Sequence, residues 1–128
     1  ANGLPNVHSV NVYRGIKVNL PPDLYEAGAD VMWHSFSSSS RKQLATLEFV
    51  ERFPGKRLGG SLFVIKATSA KDISNFSHFP DEEEVLFLPN SEFHVERVVA
   101  DHAEKKALLD KLASYNLEDL DVYLLKQM

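Results

Sequence analysis

The hydrophobic period of this chain changes repeatedly along its length. A proline or glycine signal stands at the main changes, at Pro21-Pro22, Pro54-Gly55 and Pro89-Asn90. The chain must therefore fold from short elements that alternate between strand and helix patterns. Residues 9–18 read as a strand, with Val10, Val12, Ile16 and Val18 at period two and Arg14 on the same face. Residues 31–37 form a second strand, carrying Val31, Trp33 and Phe36, which runs into Ser37, Ser38, Ser39 and Ser40. From Arg41 to Phe53 the period becomes helical: Leu44, Leu47, Val50 and Phe53 make a stripe with Phe49 beside them. Ser40 is placed to cap that helix, and Pro54-Gly55 ends it.

Residues 61–68 are a strong strand pattern. A loop with its own aromatic groups, Phe76 and Phe79, covers 69–81. Strands follow at 83–88 and 92–99, the second with Phe93, Val95 and Val99 alternating. Asp101 and Glu104 form a capping-box pattern that opens a helix to about Tyr115, with Leu108, Leu112 and Tyr115 on one side. A strand at 121–126 closes the chain. The sum predicts an α+β fold with mainly antiparallel or mixed sheets. A length of 128 residues suits one domain, 1–128, around one core. No internal repeat or low-complexity linker divides it.

Composition excludes several kinds of chemistry. With no cysteine there is no disulfide, thiol nucleophile or thiolate metal site. A net charge of −4 and the lack of a basic stripe argue against nucleic acid as a partner. No run approaches the roughly 20 apolar residues of a membrane helix. His8, His34, His78, His94 and His102 show no ligand spacing, so no metal site is expected. There is no Gly-x-Ser-x-Gly elbow and no glycine-rich dinucleotide fingerprint. The start, Ala-Asn-Gly-Leu-Pro, has neither a signal-peptide pattern nor a Met, as expected of a processed product or an excised domain. The compartment stays open, either secreted or cytoplasmic.

Three features break the local rules, and such breaks tend to mark functional sites. Arg14 sits between Val12 and Ile16 on an apolar face, where it needs an anion or carbonyls, or else snorkels to water. Ser37 to Ser40 follow an apolar strand, where a turn plus a cap is the ordinary reading. Asp81, Glu82, Glu83 and Glu84 lead straight into Val85-Leu86-Phe87-Leu88, a strand that reads as buried on both faces. Acid runs are usually solvated loops. On a strand, however, Glu82 and Glu84 would share a face with α-carbons on the order of 7 Å apart. Two like charges that close need partners or a task.

In order, these pieces resemble the arginine-specific mono-ADP-ribosyltransferases, marked by an Arg, a Ser-x-Ser and a Glu-x-Glu on successive strands. The matching residues are Val12-Tyr13-Arg14-Gly15, Phe36-Ser37-Ser38-Ser39-Ser40 and Glu82-Glu83-Glu84-Val85-Leu86. Ile73 to Pro80 is similar to the family's substrate-recognition loop, and Gly60-Ser61-Leu62-Phe63 to the strand before it. The resemblance covers roughly residues 10–99. It implies an ADP-ribosyltransferase-like split core of two packed, mainly antiparallel sheets with flanking helices, and NAD bound as substrate in the cleft. It further implies that Arg14 meets the NAD phosphates or supports the adjacent ribose, and that the Gly15 backbone meets the nicotinamide amide. Ser38, or Ser37 if the register slips, would orient the catalytic Glu84. Glu82 would face the acceptor, and Phe76 or Phe79 would seat the target. A looser correspondence puts Phe53, Arg52 or Arg57 near the nicotinamide or the phosphates.

The residue types fit that chemistry. Breaking the nicotinamide–ribose bond leaves a cation resembling an oxocarbenium ion, which a fixed carboxylate such as Glu84 stabilises. Free arginine keeps its proton at neutral pH, so a second acid, Glu82, suits an arginine acceptor as its base. The implied partners are NAD and a protein with an exposed arginine. Competing readings are an NAD glycohydrolase with water as acceptor, or a non-catalytic module of the same fold. Some features depart from the family's vertebrate members. Only 13 residues precede Arg14, where they have a helical region; there are no disulfides; and Ser39 stands where Thr is usual.

Overall fold

The computed structural model describes residues 6–7, 10–35, 37–72 and 83–128. Within these residues lie the strands β1 (Asn6–Val7), β2 (Val10–Ile16), β3 (Asp30–Trp33), β4 (Ser37–Ser40), β5 (Glu51–Arg52), β6 (Arg57–Leu58), β7 (Gly60–Ala67), β8 (Ala70–Asp72), β9 (Glu84–Phe87), β10 (Ser91–Val99) and β11 (Leu120–Gln127). The helices are α1 (Leu47–Val50) and α2 (His102–Leu108), with 3-10 turns at Gln43–Thr46 and Asp110–Leu112.

The strand β7 explains the layering. Its residues alternate between two cores: Phe63 and Ile65 enter one, Leu62 and Val64 the other. β11 lies parallel to it, Leu120 opposite Gly60 through Lys126 opposite Lys66, and repeats the alternation with Tyr123 and Leu125 against Val122 and Leu120. A strand buried on both faces needs a cover on each side. On one side the cover is helical, with Val50, Leu109, Leu112 and Leu117. On the other it is a second group of strands, contributing Ala70, Val85 and Phe87.

That second group is the far half of the same hydrogen-bonded order, β1-β8-β9-β4-β2-β7-β11-β10-β3. The halves meet between β2 and β4, where Tyr13 opposite Ser40 is the only partner pair among the described residues. Past that pair the sheet folds over itself, so Phe87 of β9 stacks edge-on against Phe93 of β10 with centroids 5.1 Å apart. The result is two packed sheets, antiparallel except for β7 with β11, and the helices flank the larger one.

Several elements differ from the sequence expectation. The second strand stops at Trp33, and Ser37 to Ser40 form a separate strand in place of a turn. β4 pairs with β9 along its whole length, Ser37 opposite Phe87 through Ser40 opposite Glu84, and those ladder bonds override the turn preference of serine. The helix expected over 41–53 is shorter: a 3-10 turn begins after Lys42, and α1 ends at Val50. The tighter 3-10 period brings Gln43 and Thr46 to the inside. It leaves Leu44 and Phe53 54% and 80% exposed. Ser40 does not cap that helix as N-cap residue, although its hydroxyl accepts from the Lys42 amide at 3.0 Å. The helix after Asp101 ends at Leu108, where Leu109 leaves helical geometry. Its cap forms as expected, Asp101 accepting from the Glu104 amide at 3.0 Å. Leu86 and Leu88 are half-buried, so the strand after the acids buries one face fully, with Val85 and Phe87. Of the loop expected over 69–81, residues 70–72 are strand β8, and 73–81 lie outside the described residues.

Gly60 shows how tightly β7 begins. Its φ is +81°, and a Cβ there would stand 2.3 Å from the Ile16 carbonyl oxygen. Gly55 has a similar φ of +90° but open space around it. Gly55→Ala is expected to cost about 1 kcal/mol, from left-handed backbone alone. Gly60→Ala should cost roughly 3 kcal/mol or more, because backbone must move as well. Urea denaturation of the two variants checks this; equal midpoints would contradict it.

Candidate functional site

An opening lies where the sheets part. It is a cavity of about 570 Å³. β2 supplies Arg14 and Gly15, β4 supplies Ser38 and Ser40, and β9 supplies Glu84. Thr46 and Phe49, from the helical segment after β4, wall it. Residues far apart in sequence thus converge because, among the described residues, a single pair joins the two halves and the cleft opens beside it.

Register sets the carboxylate. Tyr13 pairs with Ser40, and Ser40 pairs with Glu84, so the three form one row across β2, β4 and β9. Directly opposite residues share a face. Ser38 pairs with Leu86, two positions along the same face. Ser37 and Ser39 turn the other way, toward Phe87 and Val85 in the core. The Ser39 hydroxyl is buried without a hydrogen-bond partner. Ser40 rather than Ser38 therefore stands across from Glu84, a register that the sequence alone does not reveal.

Glu83 has a φ of 49°, in the left-handed region that a residue with a Cβ rarely adopts. Its carbonyl accepts from the Arg41 amide at 3.3 Å. The strand starts at Glu84. Glu82 itself lies outside the described residues, as do Phe76 and Phe79.

Arg14 is half-buried, and its guanidinium lies 4.7 Å from the centre of the Trp33 ring. Burial lowers its pKa from the ordinary value, while Tyr25 nearby acts in the opposite direction. Guanidinium is the most basic of the side chains, so Arg14 is treated as a cation. Among the described residues no carboxylate pairs with it. A desolvated cation with free N–H donors facing a cavity is suited to an anion.

Gly15 is required for another reason than ligand approach alone. A Cβ there would lie 3.1 Å from Val50 Cγ1 and 3.2 Å from the Thr46 carbonyl oxygen. The missing side chain lets the helical segment sit directly on β2. Gln43 anchors that segment. Its amide nitrogen donates to the Tyr13 hydroxyl, the Leu108 carbonyl and Asp110 Oδ1, and its oxygen accepts from the Lys111 amide at 2.9 Å.

The three looser assignments, Phe53, Arg52 and Arg57, lie outside the lining of this cavity. Phe53 is outside the cavity lining and mostly solvent-exposed. The Arg52 guanidinium donates to the carbonyls of Lys17, Phe49 and Glu51, which ties the β5 hairpin to the end of β2. Arg57 is exposed in β6. Conversely, Lys17, Glu48 and Phe49 line the cavity although sequence reasoning gave them no role. The signal was weak: Phe49 stood beside an apolar stripe, and Lys17 and Glu48 belonged to no motif. Among the described residues no helix is long and apolar enough to cross a membrane.

Comparison with known proteins bears on this arrangement. A model of the family described as ART, NAD:arginine ADP-ribosyltransferase, matches residues 3–116. The chain is 31% identical over 111 residues to the NAD(P)(+)--arginine ADP-ribosyltransferase 1 of Gallus gallus, covering 84% of this chain and 32% of that protein. It is 30% identical over 107 residues to the putative NAD(+)--arginine ADP-ribosyltransferase Mav of Mycobacterium avium (strain 104), covering 79% and 12%. The chain thus spans a third or less of these relatives. In fold it is similar to the ADP-ribosyltransferase Vis from Vibrio splendidus, solved with the inhibitor M6. The TM-score is 0.71 at 23% identity, over 99% of this chain and 51% of that one.

The Gly15 contacts give a direct test. In Gly15→Ala the added methyl must displace Thr46 or Val50 by a few tenths of an ångström. A loss of about 1–2 kcal/mol is expected from this overpacking, read by thermal or urea denaturation. An unchanged stability would mean that the segment is not seated on β2 as described.

Proposed function

The chain belongs to the NAD:arginine ADP-ribosyltransferase family, and from that premise we propose that it binds NAD in the cavity beside Arg14 and transfers ADP-ribose to an arginine of a protein. The observation that carries the proposal is the convergence of Arg14, Gly15, Ser38, Ser40 and Glu84 on one cavity. Its volume of about 570 Å³ is in the range of small-molecule and cofactor sites. Arg14, cationic and without a carboxylate partner among the described residues, suits a pyrophosphate.

In this reading each residue has one task. Arg14 holds the phosphates, and the Gly15 backbone meets the nicotinamide amide. Ser38, with Ser40 beside it, orients Glu84. Glu84 stabilises the positive charge that grows on the ribose as the bond to nicotinamide breaks and nicotinamide leaves neutral. Glu82 binds the incoming guanidinium and takes the proton released as the new C–N bond forms. Phe76 and Phe79 help seat the target protein. Arginine as acceptor rests on Glu82 and on the similarity to two relatives named as arginine ADP-ribosyltransferases.

The test is incubation with labelled NAD and agmatine or a protein acceptor. Glu84→Gln should lower transfer by about 10²–10³-fold, as the loss of one transition-state group does elsewhere, at unchanged stability. Glu82→Gln should abolish transfer to agmatine and spare nicotinamide release. Nicotinamide release by the wild type without labelled acceptor would make the domain a glycohydrolase. No reaction with NAD at all would leave a non-catalytic binding module.

A further inference from the structure

Trp33 is the only tryptophan of the chain, and nothing in the chemistry above uses it. It ends β3 and is 8% exposed. Its ring is fixed by Phe93 at 4.2 Å, Phe63 at 5.7 Å and Phe87 at 5.8 Å between centroids. Its Nε1–H donates to the Tyr25 hydroxyl at 2.9 Å. Neither rotation of the ring nor solvation of the indole nitrogen is left open. The face it presents carries the Arg14 guanidinium, 4.7 Å from the ring centre.

Arg14 also borders two spaces. One is the cavity lined by Gly15, Ser38 and Glu84. The other, about 310 Å³, is lined by Arg14, Tyr25, Trp33 and Phe63. A guanidinium on a flexible stem could turn into either. An aromatic face holds such a cation without occupying its N–H donors, which a carboxylate would occupy and neutralise.

We propose that Trp33 is the positioning residue for Arg14: its indole face holds the guanidinium charged and unneutralised where it borders both cavities and keeps its donors for the phosphates of a dinucleotide. The inference rests on the reading of Arg14 as the phosphate-binding residue. It adds that the affinity for phosphate is set by an aromatic residue that never touches the ligand. The phenylalanine cluster supplies the rigidity, and Tyr25 fixes the orientation of the ring.

The experiment compares the binding of ADP-ribose and of nicotinamide by calorimetry in the wild type, Trp33→Leu and Trp33→Phe. Trp33→Leu should weaken ADP-ribose roughly tenfold, the scale of a desolvated cation–π contact, and leave nicotinamide binding unchanged. Trp33→Phe, which retains an aromatic face, should recover most of the affinity. General damage to the fold would weaken both ligands and would not be rescued selectively. The native protein provides a second readout that needs no variant: saturating ADP-ribose should change the emission of Trp33, since the cation over its ring is engaged. A folded Trp33→Leu that binds ADP-ribose like the wild type overturns the role of Trp33, as does a silent Trp33 emission at calorimetric saturation. A wild type that binds neither NAD nor ADP-ribose overturns the dinucleotide reading itself, and this role with it.

Discussion

The molecule depends on the contact between Phe87 of one sheet and Trp33 and Phe93 of the other. Backbone bonding cannot hold the halves in place, because among the described residues one pair, Tyr13 with Ser40, joins them. A hydrogen bond contributes about 1 kcal/mol net. Burial of one phenylalanine contributes about 2–3 kcal/mol, with up to roughly 1.5 kcal/mol more per aromatic pair. Side-chain packing therefore outweighs the ladder at the joint. Phe87 lies on the same short strand as Glu84. The aromatic core that seats one residue thus also fixes the other relative to Arg14.

The same core explains why the cleft is open. Val85 and Phe87 are fully buried in the aromatic cluster, while Glu84 and Leu86, on the opposite face, are half-buried. A strand fully buried on both faces could not have carried a carboxylate to a cavity. On the other side of the large sheet, Gln43 bonds to β2 and to the region after α2, and so holds the helical wall against the missing side chain of Gly15. Each wall of the site belongs to a different layer of the fold.

How much of this was legible in the sequence depended on whether local pattern and tertiary demand agreed. Where they agreed, as in β7, β10, β11 and the Asp101 cap, the elements lie within a few residues of expectation. Polar and half-polar stretches were harder. Four serines carry no hydrophobic period, so their pairing with β9 is set by a distant partner. The stripe from Leu44 to Phe53 fitted a long helix, yet buried Gln43 and Thr46 turned the segment into a tighter coil. For the site, the order of Arg14, the serines and Glu84 was visible as a motif, and Arg14, Ser38, Ser39, Ser40 and Glu84 line one cavity. Which serine faces Glu84 was not visible, because register is a property of two strands. Lys17 and Glu48 became cavity residues only when the chain folded back beside β2.

The left-handed backbone at Glu83 has a consequence for how such a site can vary. Glu84 is anchored by the β4–β9 ladder, whereas Glu83 stands before the first paired residue and has a positive φ. A side chain whose place is set by a ladder keeps its register when residues outside that ladder are substituted. On the proposed reaction, the acid assigned to the sugar would therefore hold its place while the sequence before Glu83 varies.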